Sequence, residues 1–458
     1  MHIAVIGAGV VGVTTAWELT MDGHTVDVFD RRNAVASECS FANAGIIAPG
    51  YVTPWAAPGM PGKILRHLLS SHSPVRMHAS LNPAVWRWAW HWLRACRRSS
   101  YEQNRSAMHH LARFSQERLT SLIDKLQLEF ERNHGYLVLH RGEQEADLAR
   151  PTTELLRSLG VTFKELDAVG CRVVEPGLQA DQMLHGGIHL PGDEVGNCRQ
   201  FTQLLRDDAE KRGAEFHLAN QVLRIQPGER ISLEVRQLAV NDDYAASRLA
   251  QATDFNAERA ERVSQAMSLR SRAAARFGHP LSETAFDAVV VCAGVDSTRL
   301  LAPLGTHLPL LPVYGYSLTF PLRAAEHGPR SAVMDERYKV AISRLGQRLR
   351  VAGGAELGGN AEHQHQGAIG TLYKVLNDWF PGGAQLRRAQ VWKGARPMLP
   401  DGPPIVGKSE VPGVWLNVGH GSSGWALSCG SARALADVIG GREAPLDMSP
   451  LALQRLGS

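Results

Sequence analysis

The first thirty residues contain a strand–glycine–helix pattern that few folds accommodate. Residues 2–6 form a predicted buried strand, followed at once by Gly7-Ala8-Gly9-Val10-Val11-Gly12 and a helical stretch at 13–21. A second strand at 25–29 ends in an acid, Asp30, with Arg31 beside it. Glycines at this spacing make the turn, admit a pyrophosphate and let helix and strand pack, while the acid suits ribose hydroxyls. The pattern predicts a dinucleotide site.

A second glycine-rich helix start lies near the carboxyl end of the chain. Gly419-His420-Gly421-Ser422-Ser423-Gly424 joins a predicted strand at 414–418 to an apolar helix at 425–439. The backbone N–H groups at the start of a helix, together with the positive end of its dipole, stabilise a ligand group that acquires negative charge. A flavin gains negative charge at its N1/C2 carbonyl on reduction. Two glycine-rich helix starts, one for the pyrophosphate and one for the flavin ring, therefore favour FAD over NAD as the cofactor.

Composition limits the class of protein. The 458 residues predict two or three domains, and a net charge of +4 does not indicate nucleic acid binding. Six cysteines without a CxxC pair predict no metal site and a reducing compartment. No apolar run reaches the ~18 residues of a membrane span. A first strand at residue 2 leaves no room for a signal peptide, so we expect a cytoplasmic location.

The order of predicted elements indicates an α/β chain, α+β overall. It combines a Rossmann-type FAD-binding domain with a second substrate domain that contains an antiparallel sheet. The predicted FAD-binding segments are 1–95, 151–240, 283–305 and 393–458, and the substrate-domain segments are 96–150 and 306–392. Residues 241–282, rich in Ala and Arg, are predicted to be an inserted helical segment.

Eight colinear segments resemble the glycine-oxidase/D-amino-acid-oxidase family of flavoproteins. They are VIGAGVVGVTTAWEL, ANAGIIAPGYVTPWAAPG, LPGDEVGNCRQFT, GYSLT, DERYKVAISR, RVAGGAE, WKGARPMLPDGPPIVG and WLNVGHGSSGWALSCGS. The resemblance implies non-covalent FAD and oxidation of a D-amino acid to an imino acid, which water converts to a 2-oxo acid and ammonia. It further implies that electrons pass to a quinone or another acceptor.

The same resemblance suggests roles for individual residues. Arg396 is expected to clamp the substrate carboxylate, and Tyr338 to help hold it. Tyr316 is a weaker candidate, and His420 is expected to orient or polarise rather than abstract a proton. The expected cofactor-binding residues are Gly7, Gly9, Val10, Val11, Gly12, Asp30, Arg31, Ser40, Asn43, Ala44, Gly45, Val222, Ala293, Gly294, Arg396, Gly419, His420, Gly421, Ser422, Ser423 and Gly424.

Other functions stay open at this stage. The chain could oxidise D-hydroxyproline or another cyclic imino acid, because the side-chain pocket is not defined by the motifs. It could use oxygen as an amino acid oxidase. It could also be a flavin-bearing subunit of a larger complex, and the inserted segment at 241–282 is the observation that suggests this alternative.

The sequence WRWAWHW, residues 86–92, raises a separate question. Asn82-Pro83 predicts a helix start, and at about 100° per residue Trp86/Trp90 and Trp88/Trp92 form two separate ridges. No acid occurs at 39–101, whereas Lys63, Arg66, Arg76, Arg87, Arg94, Arg97 and Arg98 do. One hypothesis is a core helix with solvated arginines. The other is a peripheral surface on the cytoplasmic face of the inner membrane, close to a quinone.

Overall fold

The structure, a computed structural model, describes residues 1–67, 73–78, 80, 82–238 and 284–456, so the predicted insertion at 241–282 lies outside the described residues. Its strands are β1 (His2–Ile6), β2 (Thr25–Asp30), β3 (Ile46–Ile47), β4 (Val75–Met77), β5 (Arg132–His140), β6 (Lys164–Asp167), β7 (Gly186–Gly196), β8 (Glu215–Leu218), β9 (Asn220–Gln226), β10 (Ile231–Gln237), β11 (Ala285–Phe286), β12 (Ala288–Val291), β13 (Leu311–Pro321), β14 (Ala332–Asp335), β15 (Val340–Leu345), β16 (Arg348–Leu357), β17 (Gln390–Met398), β18 (Ile405–Lys408) and β19 (Val414–Val418). Its helices are α1 (Val10–Met21), α2 (Met60–His67), α3 (Pro83–Ala95), α4 (Arg98–Leu126), α5 (Glu143–Ser158), α6 (Ala168–Val174), α7 (Cys198–Lys211), α8 (Ser297–Leu301), α9 (Gln366–Trp379) and α10 (Gly424–Ile439).

A six-stranded sheet carries the predicted dinucleotide unit. Its order is β18-β19-β12-β1-β2-β8, and β18 runs antiparallel to β19 while the other neighbours pair in parallel. Side chains from α1, α4, α7 and α10 pack on one face, and β9, β10 and β11 contribute to the core on the other. Because both faces are covered, β1 and β12 are nearly continuous apolar runs. The predicted Rossmann-type unit is confirmed.

A ten-stranded sheet forms the second layer of the molecule. Its main path is β17-β13-β16-β15-β14-β5-β7-β3, with β4 beside β16 and β6 beside β7. Most neighbours are antiparallel, as predicted, but β5 pairs with β14 and β4 with β16 in parallel. Helix α9 packs its apolar side, including Leu372, Val375 and Trp379, on one face.

Pairing in this sheet crosses the predicted domain boundaries, and the division into domains stays a prediction. The segment 151–240 was expected to belong to the FAD-binding domain, yet its strands β6 and β7 pair within the large sheet. Conversely, α4, from the predicted substrate segment 96–150, packs on the six-stranded sheet through Leu111 and Leu119. Local sequence patterns do not reveal which distant strand lies next to a given strand in the sheet. For this reason the strand pairing crosses the predicted boundaries.

Helix α3 contains the tryptophan-rich sequence and confirms the two predicted ridges. Asn82 caps its start by accepting the N–H of Ala84 at 2.9 Å. Trp88 and Trp92 are buried, and their ring centroids lie 6.4 Å apart. Trp86 and Trp90, on the other ridge, are 66% and 62% exposed. The helix therefore has a buried face with Trp88 and Trp92 and an exposed apolar face with Trp86 and Trp90.

A buried carboxylate joins three helices of the first layer. Glu18 of α1 is fully buried and accepts two hydrogen bonds from Arg118 of α4, at 2.6 and 2.8 Å. Arg433 of α10 donates to the same carboxylate at 2.7 Å. Arg433 also contacts Asp22 and Asp437, and Arg442 pairs with both of these acids, so three arginines and three acids form one network. The network ties the two ends of the chain together.

We expect Glu18→Gln to lower the free energy of unfolding by about 3–5 kcal/mol, because it leaves Arg118 and Arg433 beside a neutral group inside the protein. Denaturant unfolding followed by circular dichroism measures this. The matched control is Glu102→Gln, whose pair with Arg98 is exposed on α4 and should leave the unfolding midpoint nearly unchanged. Equal midpoints for the two variants would refute a structural role for the Glu18 network.

Candidate active site

One cavity of about 2050 Å³ connects both glycine-rich helix starts with the ten-stranded sheet. Its wall includes nearly all the residues that the sequence assigned to the cofactor, namely Gly7, Gly9, Val10, Val11, Asp30, Arg31, Ser40, Asn43, Ala44, Gly45, Val222, Ala293, Gly294, Arg396, Gly419, His420, Gly421, Ser422, Ser423 and Gly424. Gly12 does not line the cavity. The individual binding roles stay predictions, but residues from distant parts of the sequence do converge here.

The first helix start is shaped by two glycines in contact. Gly7 has a φ of 110°, and a Cβ on Gly12 would lie 1.8 Å from the Gly7 carbonyl oxygen. Gly12 therefore permits the close crossing of β1 and α1 instead of facing a ligand. Asp30 accepts the N–H groups of Ala8 and Arg32 at 2.6 and 2.7 Å. Burial raises the pKa of this carboxyl group. The two hydrogen bonds that it accepts hold the turn in place.

The second helix start faces the same cavity. Neither Gly9 at the start of α1 nor Ser423 at the start of α10 provides a side-chain cap. His420 is buried, and its Nε2 lies 3.0 Å from Ser431 Oγ in α10. Burial lowers the pKa of His420 to about 3. Its imidazole is therefore neutral near pH 7, which agrees with an orienting role better than with that of a charged group.

Arg396 projects from β17 across a glycine on the neighbouring strand. A Cβ on Gly315 of β13 would lie 2.3 Å from Arg396 Nη2, so only glycine leaves room for this guanidinium. Nη1 donates to the Gly354 carbonyl at 2.8 Å, and the Cys39 thiol donates to the carbonyl of Ala395. Burial lowers the pKa of Arg396 below its usual value. The arginine is thus held in the cavity wall by backbone contacts.

The arginines that line the cavity differ in their partners. They are Arg31, Arg98, Arg105, Arg337 and Arg396. Three have a carboxylate within ion-pair distance: Glu38 and Asp296 for Arg31, Glu102 for Arg98, and Glu145 for Arg337. Arg105 donates to the Tyr101 hydroxyl at 2.8 Å. Within the described ranges neither Arg105 nor Arg396 has an acidic partner, so both suit an anionic ligand.

Tyr316 lies at the edge of the cavity with its hydroxyl engaged. It donates to the Glu356 carboxylate and accepts the N–H of His365 at 3.0 Å. Lys393 Nζ lies 2.9 Å from Glu356 Oε2, and both side chains are nearly fully buried. Tyr316 is therefore part of a neutralised polar cluster in the wall, and its contact with a substrate stays a prediction.

Tyr338 is not among the described residues that line the cavity, and its expected role in holding the carboxylate stays a prediction. It lies in the turn between β14 and β15 and packs beside the core of α9. Arg141 and Lys374 lie 5.0 and 5.5 Å from the centre of its ring. In this turn Glu336 and Lys339 reach the cavity instead. Lys339, in the same turn, has a φ of 50°.

Sequence reasoning missed a polar group in the cavity wall. The Tyr51 hydroxyl donates to Glu336 at 2.5 Å and accepts from Lys339 Nζ at 3.2 Å. Lys339 also forms an ion pair with Glu336. The hydroxyl of Tyr136, a fully buried cavity residue, has no hydrogen-bond partner in the described part of the chain. The charged residues of DERYKV could have indicated this group, but only the fold brings Tyr51 to them.

Comparison with known proteins gives a family match over most of the chain. Residues 2–438 match the family described as FAD dependent oxidoreductase (DAO). Proteins named D-amino acid dehydrogenase from Cereibacter sphaeroides and Bradyrhizobium diazoefficiens are 42% and 38% identical, covering 99% of this chain and 95% and 99% of theirs. A glycine oxidase structure from Geobacillus kaustophilus covers 99% of this chain and 98% of its own, with a TM-score of 0.68 and 20% identity. The last likeness concerns the fold alone.

The cavity residues fit the FAD of this family. Two helix starts face one cavity. Neither is capped by the side chain of its own N-cap residue, although the Val10 N–H donates to Ser40 Oγ at 3.0 Å. Gly7, Gly9 and Asp30 would hold the pyrophosphate and ribose end, and Gly421 to Gly424 the flavin end. Cys429 is buried inside α10 and is not among the residues that line the cavity.

We expect Gly9→Val to abolish most FAD binding without unfolding the protein. A Cβ at Gly9 would lie 3.4 Å from Ser40 Oγ, which is tolerable, whereas the rest of the side chain would occupy the space of the pyrophosphate. Flavin absorbance per polypeptide and the melting temperature of the apoprotein measure the two effects.

The contrasting variant is Gly12→Ala, which should lower the melting temperature of the apoprotein because its Cβ would overlap the Gly7 carbonyl. Full flavin content in Gly9→Val would show that the cofactor does not approach α1 at this point.

Proposed function

Because the chain belongs to the DAO family of FAD-dependent oxidoreductases, we propose that it oxidises D-amino acids to 2-oxo acids and ammonia. Relatives named D-amino acid dehydrogenase, similar over nearly the whole length, support this proposal. The observation that carries it is the buried Arg396, which lines the same cavity as both helix starts and lacks a carboxylate partner in the described part of the protein. An amino acid supplies that carboxylate.

The proposed role of Arg396 is to fix the substrate. A guanidinium can bind a carboxylate through two parallel N–H···O bonds, which sets orientation as well as affinity. Contacts with Gly354 and Gly315 already restrict the guanidinium, so less freedom is lost when a substrate binds. An α-hydrogen held at one place and one angle reacts much faster than one that is free to turn.

The reaction removes a hydride from the α-carbon and a proton from the nitrogen of the substrate. Bound FAD would supply the acceptor for this hydride. Water then hydrolyses the imino acid product. Neutral His420 cannot attract the carboxylate away from Arg396, because its pKa of about 3 keeps it uncharged. Tyr51, with Glu336 and Lys339, is the polar group on the wall that we propose takes part in positioning the amino group.

The function predicts that D-alanine bleaches the flavin absorbance of the purified protein under nitrogen. In Arg396→Lys the charge remains but the paired hydrogen bonds are lost, so the apparent affinity for D-alanine should fall by roughly 10²-fold. Flavin content should be nearly unchanged. Stopped-flow absorbance at a series of D-alanine concentrations gives the apparent affinity, and the absorbance before mixing gives the flavin content.

Arg105→Lys is the matched control, since Arg105, like Arg396, lines the cavity and has no acidic partner among the described residues. It should change the affinity much less than Arg396→Lys, and the reverse order would move the clamp to Arg105. D-Proline and D-hydroxyproline in the same assay test the cyclic imino acid alternative, and reoxidation of the bleached flavin by air tests the oxidase alternative. Yellow colour that persists with every substrate would exclude the enzymatic proposal and favour a flavin-bearing subunit.

We further propose that the electrons pass to a quinone at the cytoplasmic face of a membrane. None of the helices in the described ranges is long and apolar enough to cross a bilayer. Helix α3 instead presents Trp86, Trp90 and Leu93, each about half exposed or more, next to exposed Arg87 and Arg94. We call these five residues the tryptophan surface. Tryptophan and arginine at such a position suit an interface with anionic lipid.

We expect the protein to co-sediment with vesicles of phosphatidylcholine and phosphatidylglycerol at low salt and less so at high salt. The double variant Trp86→Ser/Trp90→Ser should lose most binding, because it removes the apolar part of the surface. Arg94→Glu should weaken binding roughly fivefold or more, since one basic residue near anionic lipid contributes about 1 kcal/mol.

The control is Val169→Ser/Val173→Ser on α6, where two valines are each 70% exposed outside the tryptophan surface. This variant should bind vesicles as the unchanged protein does. Equal binding by all variants, or none by correctly folded yellow protein at low salt, would reject the membrane proposal.

A further inference from the structure

A group of metal-ligating side chains lies on the six-stranded sheet, apart from the cavity. Asp27 of β2 and Glu215 and His217 of β8 each bring one donor atom within 4.8 Å of the others. His2 of β1 contacts the same Asp27 carboxylate at 2.7 Å. None of the four is among the described residues that line the cavity. We call these four residues the histidine–carboxylate cluster.

Strand register places the four side chains on one face of the sheet. Asp27 pairs with Ala4 on one side and with Glu215 on the other. Paired residues of parallel strands point to the same face, and so do residues two apart in one strand. His2 lies two residues before Ala4, and His217 lies two residues after Glu215. Three adjacent strands, distant in sequence, therefore supply nitrogen and oxygen donors to one place.

Aromatic neighbours hold both imidazole rings. The ring of His217 stacks on Phe29, with centroids 4.7 Å apart and an interplanar angle of 19°. The ring of His2 lies 4.7 Å from that of Phe286, at 54°. Because Phe29 and Phe286 are buried, both imidazoles rest on the core of the protein. A side chain that is already restricted loses less freedom when it binds a ligand.

The distances within the cluster fit a small divalent cation. His217 Nε2 lies 3.3 Å from Asp27 Oδ1 and 3.9 Å from Glu215 Oε2. Ligand atoms that lie about 2.0–2.2 Å from a tetrahedral zinc ion are separated from each other by about 3.3–3.6 Å. The Glu215 side chain is 73% exposed and free to rotate by the small amount that is needed. All three donors can therefore reach one ion.

His2 holds the carboxylate ligand in place. Its Nε2 lies 2.7 Å from Asp27 Oδ2, whereas His217 approaches the other oxygen of this carboxylate. Carboxylates that bind metals are commonly oriented by such a hydrogen bond. The side chains of His2 and His217 are 26% and 28% exposed, so water can reach the cluster and supply a fourth ligand.

The charges of the cluster also favour a cation. In the described ranges, the ion-pair partners of Asp27 and Glu215 are His2 and His217, and neither acid pairs with a lysine or an arginine. A divalent cation would offset both carboxylate charges. Imidazole beside carboxylate suits Zn²⁺ and similar transition-metal ions, whereas Mg²⁺ and Ca²⁺ prefer ligand sets made of oxygen alone.

We propose that the histidine–carboxylate cluster binds one transition-metal ion of the Zn²⁺ type, with Asp27, Glu215 and His217 as ligands and His2 as the hydrogen-bond partner of Asp27. The role of the ion is structural. β8 is the edge strand of the six-stranded sheet, and an ion shared by β2 and β8 fastens that edge to its neighbour. The spacing of the cysteines predicts no metal site, but the cluster contains no cysteine.

The test uses the yellow, FAD-bound protein after dialysis against EDTA. Calorimetric titration with ZnCl2 should show one ion bound per chain at the cluster. At a hundredfold excess over the dissociation constant, zinc should raise the melting temperature by about 2–3 °C for a chain of this length. The same concentration of MgCl2 should leave the melting temperature unchanged.

His217→Gln and Glu215→Gln should each weaken zinc binding by roughly 10-fold or more and remove the shift at the same zinc concentration. The melting temperature of each variant in EDTA is its own reference, so a general loss of stability does not imitate the effect. Glu215→Gln alters a mostly exposed side chain and should keep the fold and the flavin.

The matched control is His110→Gln, exposed on α4, which packs on the opposite face of the sheet. It should keep the zinc affinity and the shift of the unchanged protein. Three results would each overturn the assignment: no zinc binding by the unchanged protein, an undiminished zinc shift in both cluster variants, or an equal shift with MgCl2.

Discussion

The contact between Gly12 and the Gly7 carbonyl is the constraint on which the cofactor end of the molecule depends. A methyl group at residue 12 would overlap that oxygen, so only two glycines let α1 start directly beside the end of β1. Strand order determines where the second helix starts, because β19 runs parallel to β1 in the same sheet with β12 between them. The starts of α1 and α10 therefore appear at the same sheet edge, although more than 400 residues separate them in sequence.

Local chemistry explains which features were predictable. Gly7 to Asp30, the Asn82-Pro83 helix start and the Gly419 to Gly424 helix start each contain their own determinants, and all three appear as expected. The two ridges of α3 follow from helix geometry alone. Which ridge is buried does not, because that depends on Trp55 and the sheet behind it.

Long-range pairing explains the differences. The parallel pairing of β5 with β14 joins strands almost 200 residues apart, and no local pattern encodes that choice. The role of Tyr338 is implied by a family resemblance alone and stays a prediction; in the fold this residue lies in the turn before Lys339, packed against Arg141 and α9. Tyr51 was not identified at all, since its partners Glu336 and Lys339 come from the other half of the chain. Sequence thus identifies elements and ends of elements more readily than the partners that complete a site.

The pairing of β1 with β12 has a consequence for synthesis on the ribosome. β1 is made first, yet its neighbour on one side begins only at Ala288, and the Arg433 that neutralises Glu18 comes near the carboxyl end. At roughly 5–20 residues per second, translation needs about 20–80 s after β1 emerges before α10 exists. During that interval the apolar edge of β1 has no native cover, and a complete cofactor cavity cannot form. The first layer can therefore be completed only after α10 has been synthesised.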